Sequence, residues 1–259
     1  ARFNIEARVC SEVEGIEPRR KVVRVHDLRS GKRYEETYDK LVLSPGAEPV
    51  RPPLPGIDTE GIFTLRNVSD TDRVKGYVDE RDVKRAVIVG AGFIGLEMAE
   101  NLYEYGIEVT IVEMADQVMT PVDFEIAAVV HQHLRAKGVG LYLQEAVTAF
   151  RQTEDGIEVE LRSGLVMQTD MVLLSIGVRP DARLAKAAGL EIGETGGIRV
   201  NEYLQTSDAD IYAVGDAIEF LNPVSGRPAL GGYVPIISFT VINENIKVRS
   251  IRLLPRCLI

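Results

Sequence analysis

The sequence predicts an α/β protein: a parallel sheet and an antiparallel β meander form one domain, which is inserted in a partial second domain of the same type. Three observations carry this expectation. A strand, a glycine-rich turn, a helix and a second strand follow one another over residues 86–113. Alternating segments split by turn dipeptides occupy residues 141–176. The closing stretch of that region also recurs, residue for residue in part, at 39–49.

Length and composition fit this class. The chain has 259 residues, 45% hydrophobic and 27% charged, which is ordinary for a globular protein able to bury a sizeable core. A formal net charge of −9 argues against nucleic acid or an anionic membrane as the main partner. No run approaches the roughly 18 apolar residues of a membrane span, and no basic-plus-apolar leader opens the sequence. Cys10 and Cys257 stand near opposite ends without a C-x-x-C pair, so a reducing, cytoplasmic setting is expected. The first residue is Ala1 rather than Met, and the natural start is expected upstream.

In chain order, Lys21–His26 and Lys32–Thr37 alternate around the turn pair Ser30-Gly31 and are expected to form a first meander. Residues 59–83 are read as a connecting segment with a short helix. Val87–Val89 is a short apolar run expected to be a buried parallel strand. Gly90, Gly92 and Gly95 then give G-x-G-x-x-G where the strand feeds a helix. Ile94, Met98, Leu102 and Tyr105 recur at helical spacing and predict the buried face, with Gly106 as the stop. Val109–Val112 is the next strand, and it finishes on Glu113.

Each part of that unit has a physical task. Gly90 permits a tight turn, Gly92 lets backbone approach a pyrophosphate, and Gly95 allows close helix-on-strand packing. The helix start, with Phe93 and Ile94, offers N–H groups and the positive end of a dipole to phosphate. Glu113, 23 residues after Gly90, is placed to accept hydrogen bonds from an adenosine ribose. A 2′-phosphate would meet it as a like charge, and residues 114–134 contain no Lys or Arg. The unit is therefore expected to bind NAD(H) rather than NADP(H).

Thr120-Pro121 is expected to start the following helix, with Thr as N-cap, and Gly138 to end it. His131 and His133 lie two apart inside it and point to different faces, so they are expected to be solvated or partly packed rather than metal ligands. The second meander begins at Leu141, turns at Asp155-Gly156 and Ser163-Gly164, and leads into Asp170–Pro180. Aligned with 39–49, the pairs Asp39/Asp170, Leu43/Leu174, Ser44/Ser175, Gly46/Gly177 and Pro49/Pro180 are identical. The chain thus carries two copies of one half-unit, and the glycine loop of the first copy is expected before Ala1. Further on, Ile211–Val214 reads as a short strand, with Gly215-Asp216 turning into a helix.

With these motifs the chain resembles the two-dinucleotide flavoproteins, the FAD-dependent pyridine nucleotide–disulfide oxidoreductases. Coenzyme A-disulfide reductases and NADH oxidases look closest. The resemblance covers residues 3–235 and rests on 38–55, on VIVGAGFIGLEMAEN at 87–101, on LLSIGVRP at 173–180, and on Thr206–Asp216. It implies a Rossmann-like NAD domain at 84–198 set in a partial FAD domain at 1–58 and 199–235, with 236–259 an atypical tail. Asp216 would hold the ribitol of FAD, with Gly215 and Ala217 meeting its phosphate through backbone. Ser44 and Gly46 would lie beside the FAD nucleotide, and Gly177 beside the nicotinamide. Val13 and Val147 would touch the two adenines through backbone. Glu97 would stand near the flavin–nicotinamide contact, or serve only as a first-turn acid favoured by the helix dipole.

The implied chemistry passes a hydride from NADH to FAD and then electrons to a disulfide such as coenzyme A disulfide. Oxygen or peroxide is the alternative acceptor, and a non-catalytic NAD(H)-binding module is a third reading. The family's redox cysteine lies in a motif that Cys10 does not match; Cys10 is expected on a meander strand as an inert thiol. The stretch from Ile236 departs from the family, is suspected to be a non-native or truncated end with a divergent strand or arm as the alternative, and stands where a dimerisation domain is expected to follow. The parent is expected to be a homodimer, and this chain alone to be inactive and unable to retain FAD.

Overall fold

In the computed structural model, which describes residues 6–231 and 252–253, the chain divides into two units. One is formed by the chain up to Glu48 and again from Arg179, the other by Pro49–Val178. Apart from the backbone of 252–253, the suspect tail lies outside the described residues. Among the described residues no helix is long and apolar enough to cross a membrane.

The Pro49–Val178 unit is built on a five-stranded parallel sheet. Its strands, in spatial order, are Gly140–Leu143, Glu108–Glu113, Arg85–Val89, Met171–Leu174 and Ile62–Thr64. Side chains of a strand alternate between faces, and the two faces are covered differently. Ala86, Ile88, Val109, Ile111, Met171 and Leu173 pack with Val74, Ala99, Leu102, Ala127 and Leu134 of three helices, Val68–Arg81, Phe93–Glu104 and Phe124–Ala136. Val87, Val112, Val172 and Leu174 pack instead on Val147, Phe150, Ile157, Val159 and Leu161 of a meander. That meander runs antiparallel through Val147–Thr153, Gly156–Leu161 and Val166–Thr169. Burial on both faces explains why the strands read as continuous apolar runs.

The other unit repeats the meander. Ser11–Glu17, Val22–Asp27 and Arg33–Thr37 pair antiparallel, and Leu41–Leu43 runs parallel to Ile211–Ala213. Val23, Val25 and Ile16 share a core with Ile198, Ile211 and Ile218. The two meanders carry a register shift at the same place, between Val13 and Gly15 in one and between Val147 and Ala149 in the other. A bulge is one extra residue on one strand, so its recurrence extends the repeat seen in the sequence to backbone geometry.

Several expectations are corrected. Residues 59–83 are not a connector between units: Ile62–Thr64 is a strand of the sheet, and the 14-residue helix Val68–Arg81 buries Val74 in its core. An Asn67–Asp70 capping box starts that helix. The inserted unit accordingly spans 49–178 rather than 84–198. Leu141 belongs to the parallel sheet, and the second meander begins at Val147. The third helix starts at Phe124 after Asp123, not at Thr120-Pro121, because residues 114–122 are held as a loop by bonds to other elements. On the glycine-loop helix the buried face is Gly95, Ala99 and Leu102, while Ile94 and Tyr105 are exposed. Cys10 sits in an exposed turn with φ 55°, not on a strand.

Candidate functional site

The carboxyl ends of the central strands in the Pro49–Val178 unit bring four segments together, the position where open α/β sheets bind ligands. Gly90 follows Arg85–Val89 with φ 101°, a conformation that side chains rarely adopt, and its N–H donates to Val112 O at 2.8 Å. A Cβ there would stand 2.5 Å from Ser175 O, and one on Gly95 would stand 2.1 Å from Gly90 O. These two glycines are required by packing. Gly92 differs, since nothing lies within 4 Å of a Cβ built on it. It is exposed at the N-cap of the Phe93–Glu104 helix, where no side chain caps the first N–H groups. An open glycine before uncapped N–H groups is a place for a ligand's diphosphate.

Glu113 ends the adjacent strand. Its Oε2 accepts the Ala91 N–H at 2.7 Å and its Oε1 the Ala115 N–H at 2.8 Å. An ionised carboxylate has about four acceptor positions, so two remain for hydroxyl groups. Ala91 also accepts from Met119 N at 2.9 Å, which ties the glycine loop to the loop after Glu113. Gly177, φ 104°, is exposed with open space where a Cβ would be. Val147 is buried at the start of the bulged meander strand. Phe93, Ile94 and Glu97 are exposed along the helix start, and Glu97 O accepts from Asn101 Nδ2.

In the other unit, Leu41–Leu43 and Ile211–Ala213 end side by side, with Val214 N donating to Leu43 O at 2.9 Å. Ser44 and Gly46 therefore follow one strand where Gly215 and Asp216 follow its neighbour. Gly46 (φ 72°) and Gly215 (φ 75°) are both left-handed, Asp216 is exposed, and Ala217 is buried. Gly215–Ala217 is a short 3-10 turn leading into the strand Ile218–Leu221, not the expected helix. A solvent-facing carboxylate at paired strand ends can accept hydroxyl groups of a polyol. Val13 lies at the bulge of the first meander.

Two residues have structural roles that the sequence reading did not assign, and one of them, His131, is buried where a solvated or partly packed side chain was expected. Ser175 Oγ donates within reach of Gly90 O (2.8 Å) and Val89 O (3.1 Å), fastening the glycine turn to the next strand. Its signal was present in the repeated Ser44/Ser175 pair. His131 is buried, and its Nε2 accepts the Val118 N–H at 3.1 Å. Nothing local to the sequence marks that bond. A separate hollow of about 650 Å³ lies at the Ile62–Thr64 edge among Arg51, Glu60, Tyr77 and Arg81, and it shares no residue with the glycine loop.

Comparison with known proteins places these features in context. A family model described as pyridine nucleotide-disulphide oxidoreductase matches residues 1–232. An NADH oxidase of Methanocaldococcus jannaschii is 39% identical over 206 residues, 79% of this chain and 46% of that protein. A coenzyme A disulfide reductase of Staphylococcus aureus is 31% identical over 215 residues, 83% of this chain and 48% of the relative. The solved structure of reduced Bacillus anthracis CoADR-RHD matches with a TM-score of 0.85 and 50% identity, over 88% of this chain and 41% of the other. The chain spans about half the length of these two relatives.

Proposed function

The chain belongs to the pyridine nucleotide-disulphide oxidoreductase family, and from that premise we propose that it is the NADH-binding part, with part of the FAD-binding region, of an NADH-dependent flavoprotein reductase. The single observation that carries this reading is the glycine loop joined to Glu113: Gly92 open to solvent, and a carboxylate already oriented by Ala91 and Ala115. Gly90–Gly95 and the first N–H groups of the Phe93–Glu104 helix would hold the pyrophosphate. Glu113 would hold the adenosine ribose through its two free acceptor positions, and Val147 would meet the adenine through backbone. Gly177 and Glu97 would border the nicotinamide. Asp216, with Gly215, Ala217, Ser44, Gly46 and Val13, would serve FAD in the other unit.

When bound, the nicotinamide supplies a hydride and the flavin accepts it and releases electrons onward. The chain's own work is to bind and orient. Each charge-assisted hydrogen bond donated to Glu113 by a ribose hydroxyl would be worth about 1.5–3 kcal/mol, and a 2′-phosphate would turn that contact into repulsion. NADH is thereby preferred to NADPH.

The acceptor we favour is a disulfide of the coenzyme A type, supported by the 50% identity to the B. anthracis CoADR-RHD. The second reading, oxygen, is supported by the 39% identity to the M. jannaschii NADH oxidase. The flavin-loaded full-length protein separates them. Under nitrogen, NADH oxidation with coenzyme A disulfide should release two thiols per NADH. Turnover that needs oxygen and is indifferent to the disulfide would reverse the choice.

A further inference from the structure

The loop after Glu113 is held in an uncommon shape. Met119 adopts φ 51°, and a non-glycine residue stays in that region only when its surroundings impose it. Three bonds do so. Val118 N donates to His131 Nε2 at 3.1 Å, Met119 N donates to Ala91 O at 2.9 Å, and Val122 N donates to Met119 O at 2.8 Å. Val118 is fully buried, so its N–H has no water to turn to if the ring fails it.

These bonds form a circuit with the proposed ribose contact. His131 anchors Val118; the next residue anchors Ala91 through its carbonyl; and the Ala91 N–H orients Glu113 Oε2. A shift of Val118 would carry Met119 and the Ala91–Gly92 peptide with it, and so would turn Ala91, whose own N–H aims the carboxylate. We propose that His131 is a positioning residue for dinucleotide binding, acting through Val118 and Met119 on Ala91 and Glu113 and touching no part of the cofactor. This rests on the NADH site proposed above.

The anchor works in one protonation state. Nε2 accepts, so the ring is neutral with its proton on Nδ1. Burial, and then the positive charge of Arg135 one turn along the helix, hold the imidazole below its ordinary value of 6.5. The Phe124 ring stands edge-on to it at 6.2 Å. Other ionisable groups on the elements packed around it are Glu113, bound as described, and Glu108, Asp116, Asp123, Glu125, His133, Lys137 and Tyr142, all exposed. None of them offers the buried ring a compensating negative charge. Since the folded pKa is depressed, the bond is intact above about pH 6.5 and is lost as pH falls through the lower folded value.

The test measures NADH dissociation constants from pH 8 down to the lowest pH at which the chain stays folded, for the wild-type chain, His131→Leu and His131→Gln, with circular dichroism confirming the fold at each point. Gln can present Oε1 where Nε2 stands. Wild type should hold its affinity down to about pH 6.5 and weaken several-fold as pH falls further, through the lowered folded value of His131. His131→Leu should be about tenfold weaker at pH 8, the scale of one lost buried hydrogen bond, and flat with pH. His131→Gln should recover most of the affinity and also be flat. If His131→Leu fails to fold, the pH dependence of wild type against the flat Gln variant decides alone. Wild type that binds NADH with no pH dependence beyond that of His131→Gln overturns the inference and leaves the NADH site standing. Wild type that binds no NADH at pH 8 overturns both.

Discussion

The Glu113 carboxylate accepts the Ala91 N–H at 2.7 Å, so the acid that ends one strand is fastened to the glycine turn that ends its neighbour. The sugar-binding and phosphate-binding halves of the proposed site are one hydrogen-bonded piece. Substitutions in the glycine loop consequently separate into those that disturb this piece and those that disturb only what it would hold.

Gly92→Ala and Gly95→Ala should fall on opposite sides of that line. A methyl on Gly92 meets nothing within 4 Å, whereas one on Gly95 would stand 2.1 Å from Gly90 O. Gly95→Ala is expected to lower the thermal midpoint, with a cost of about 1–3 kcal/mol for overpacking. Gly92→Ala should keep stability to within about 1 kcal/mol and yet weaken NADH binding, because the methyl occupies the diphosphate's approach. Calorimetry and a fluorescence titration on both variants check the contrast.

Asp170 is expected to be a stability residue. Its carboxylate accepts the backbone N–H groups of Lys84 (2.9 Å) and Arg85 (2.8 Å) and pairs with the Arg85 guanidinium at 2.8 Å. Burial pushes this carboxyl up, but the Arg85 side chain and the two N–H groups together hold it below its usual range. Asp170→Ala should cost about 2–3 kcal/mol near pH 7. With a depressed folded pKa, that contribution is complete above the ordinary carboxylate value of about 4 and fades as pH falls through the lower folded value. Denaturant midpoints of wild type and variant should therefore converge only in strong acid.

Cys10 should be dispensable. It is exposed in a turn and far in sequence from every residue assigned to the NADH site. Cys10→Ser is expected to leave NADH affinity unchanged, and alkylating the thiol should do the same. A loss of binding on alkylation of wild type but not of Cys10→Ser would give this thiol a role that the geometry does not.

Features set by neighbours in the chain were legible in the sequence. The glycine spacing, the apolar strands and the terminal acid are local patterns, and the structure sets Gly90, Gly92, Gly95 and Glu113 together at the carboxyl ends of two neighbouring strands. The paired meanders were legible because alternation and turn dipeptides are local too. Long-range pairing was not. Ile62–Thr64 looks like part of a linker until Val172–Leu174, more than a hundred residues later, supplies its partner strand. Thr120-Pro121 has good helix-start chemistry, but Met119 is bound to Ala91 and Val118 to His131, which delays the helix to Phe124. The Gly215-Asp216 turn leads to a strand because Ile218 and Glu219 pair with Ile198 and Arg199. Helical periodicity likewise pointed to Ile94 and Tyr105, whereas close approach to the sheet selected the smaller Gly95 and Ala99.

The central claim is that Glu113 reads the ribose of NADH at a site complete within the Pro49–Val178 unit. Its most direct test is an equilibrium titration of the chain with NADH and with NADPH, repeated on Glu113→Arg. Wild type should bind NADH at least about tenfold more tightly than NADPH, the loss of one good hydrogen bond to a charged group, and Glu113→Arg should lose or invert that preference. Equal or tighter NADPH binding by wild type, or an unchanged preference in Glu113→Arg, would contradict it.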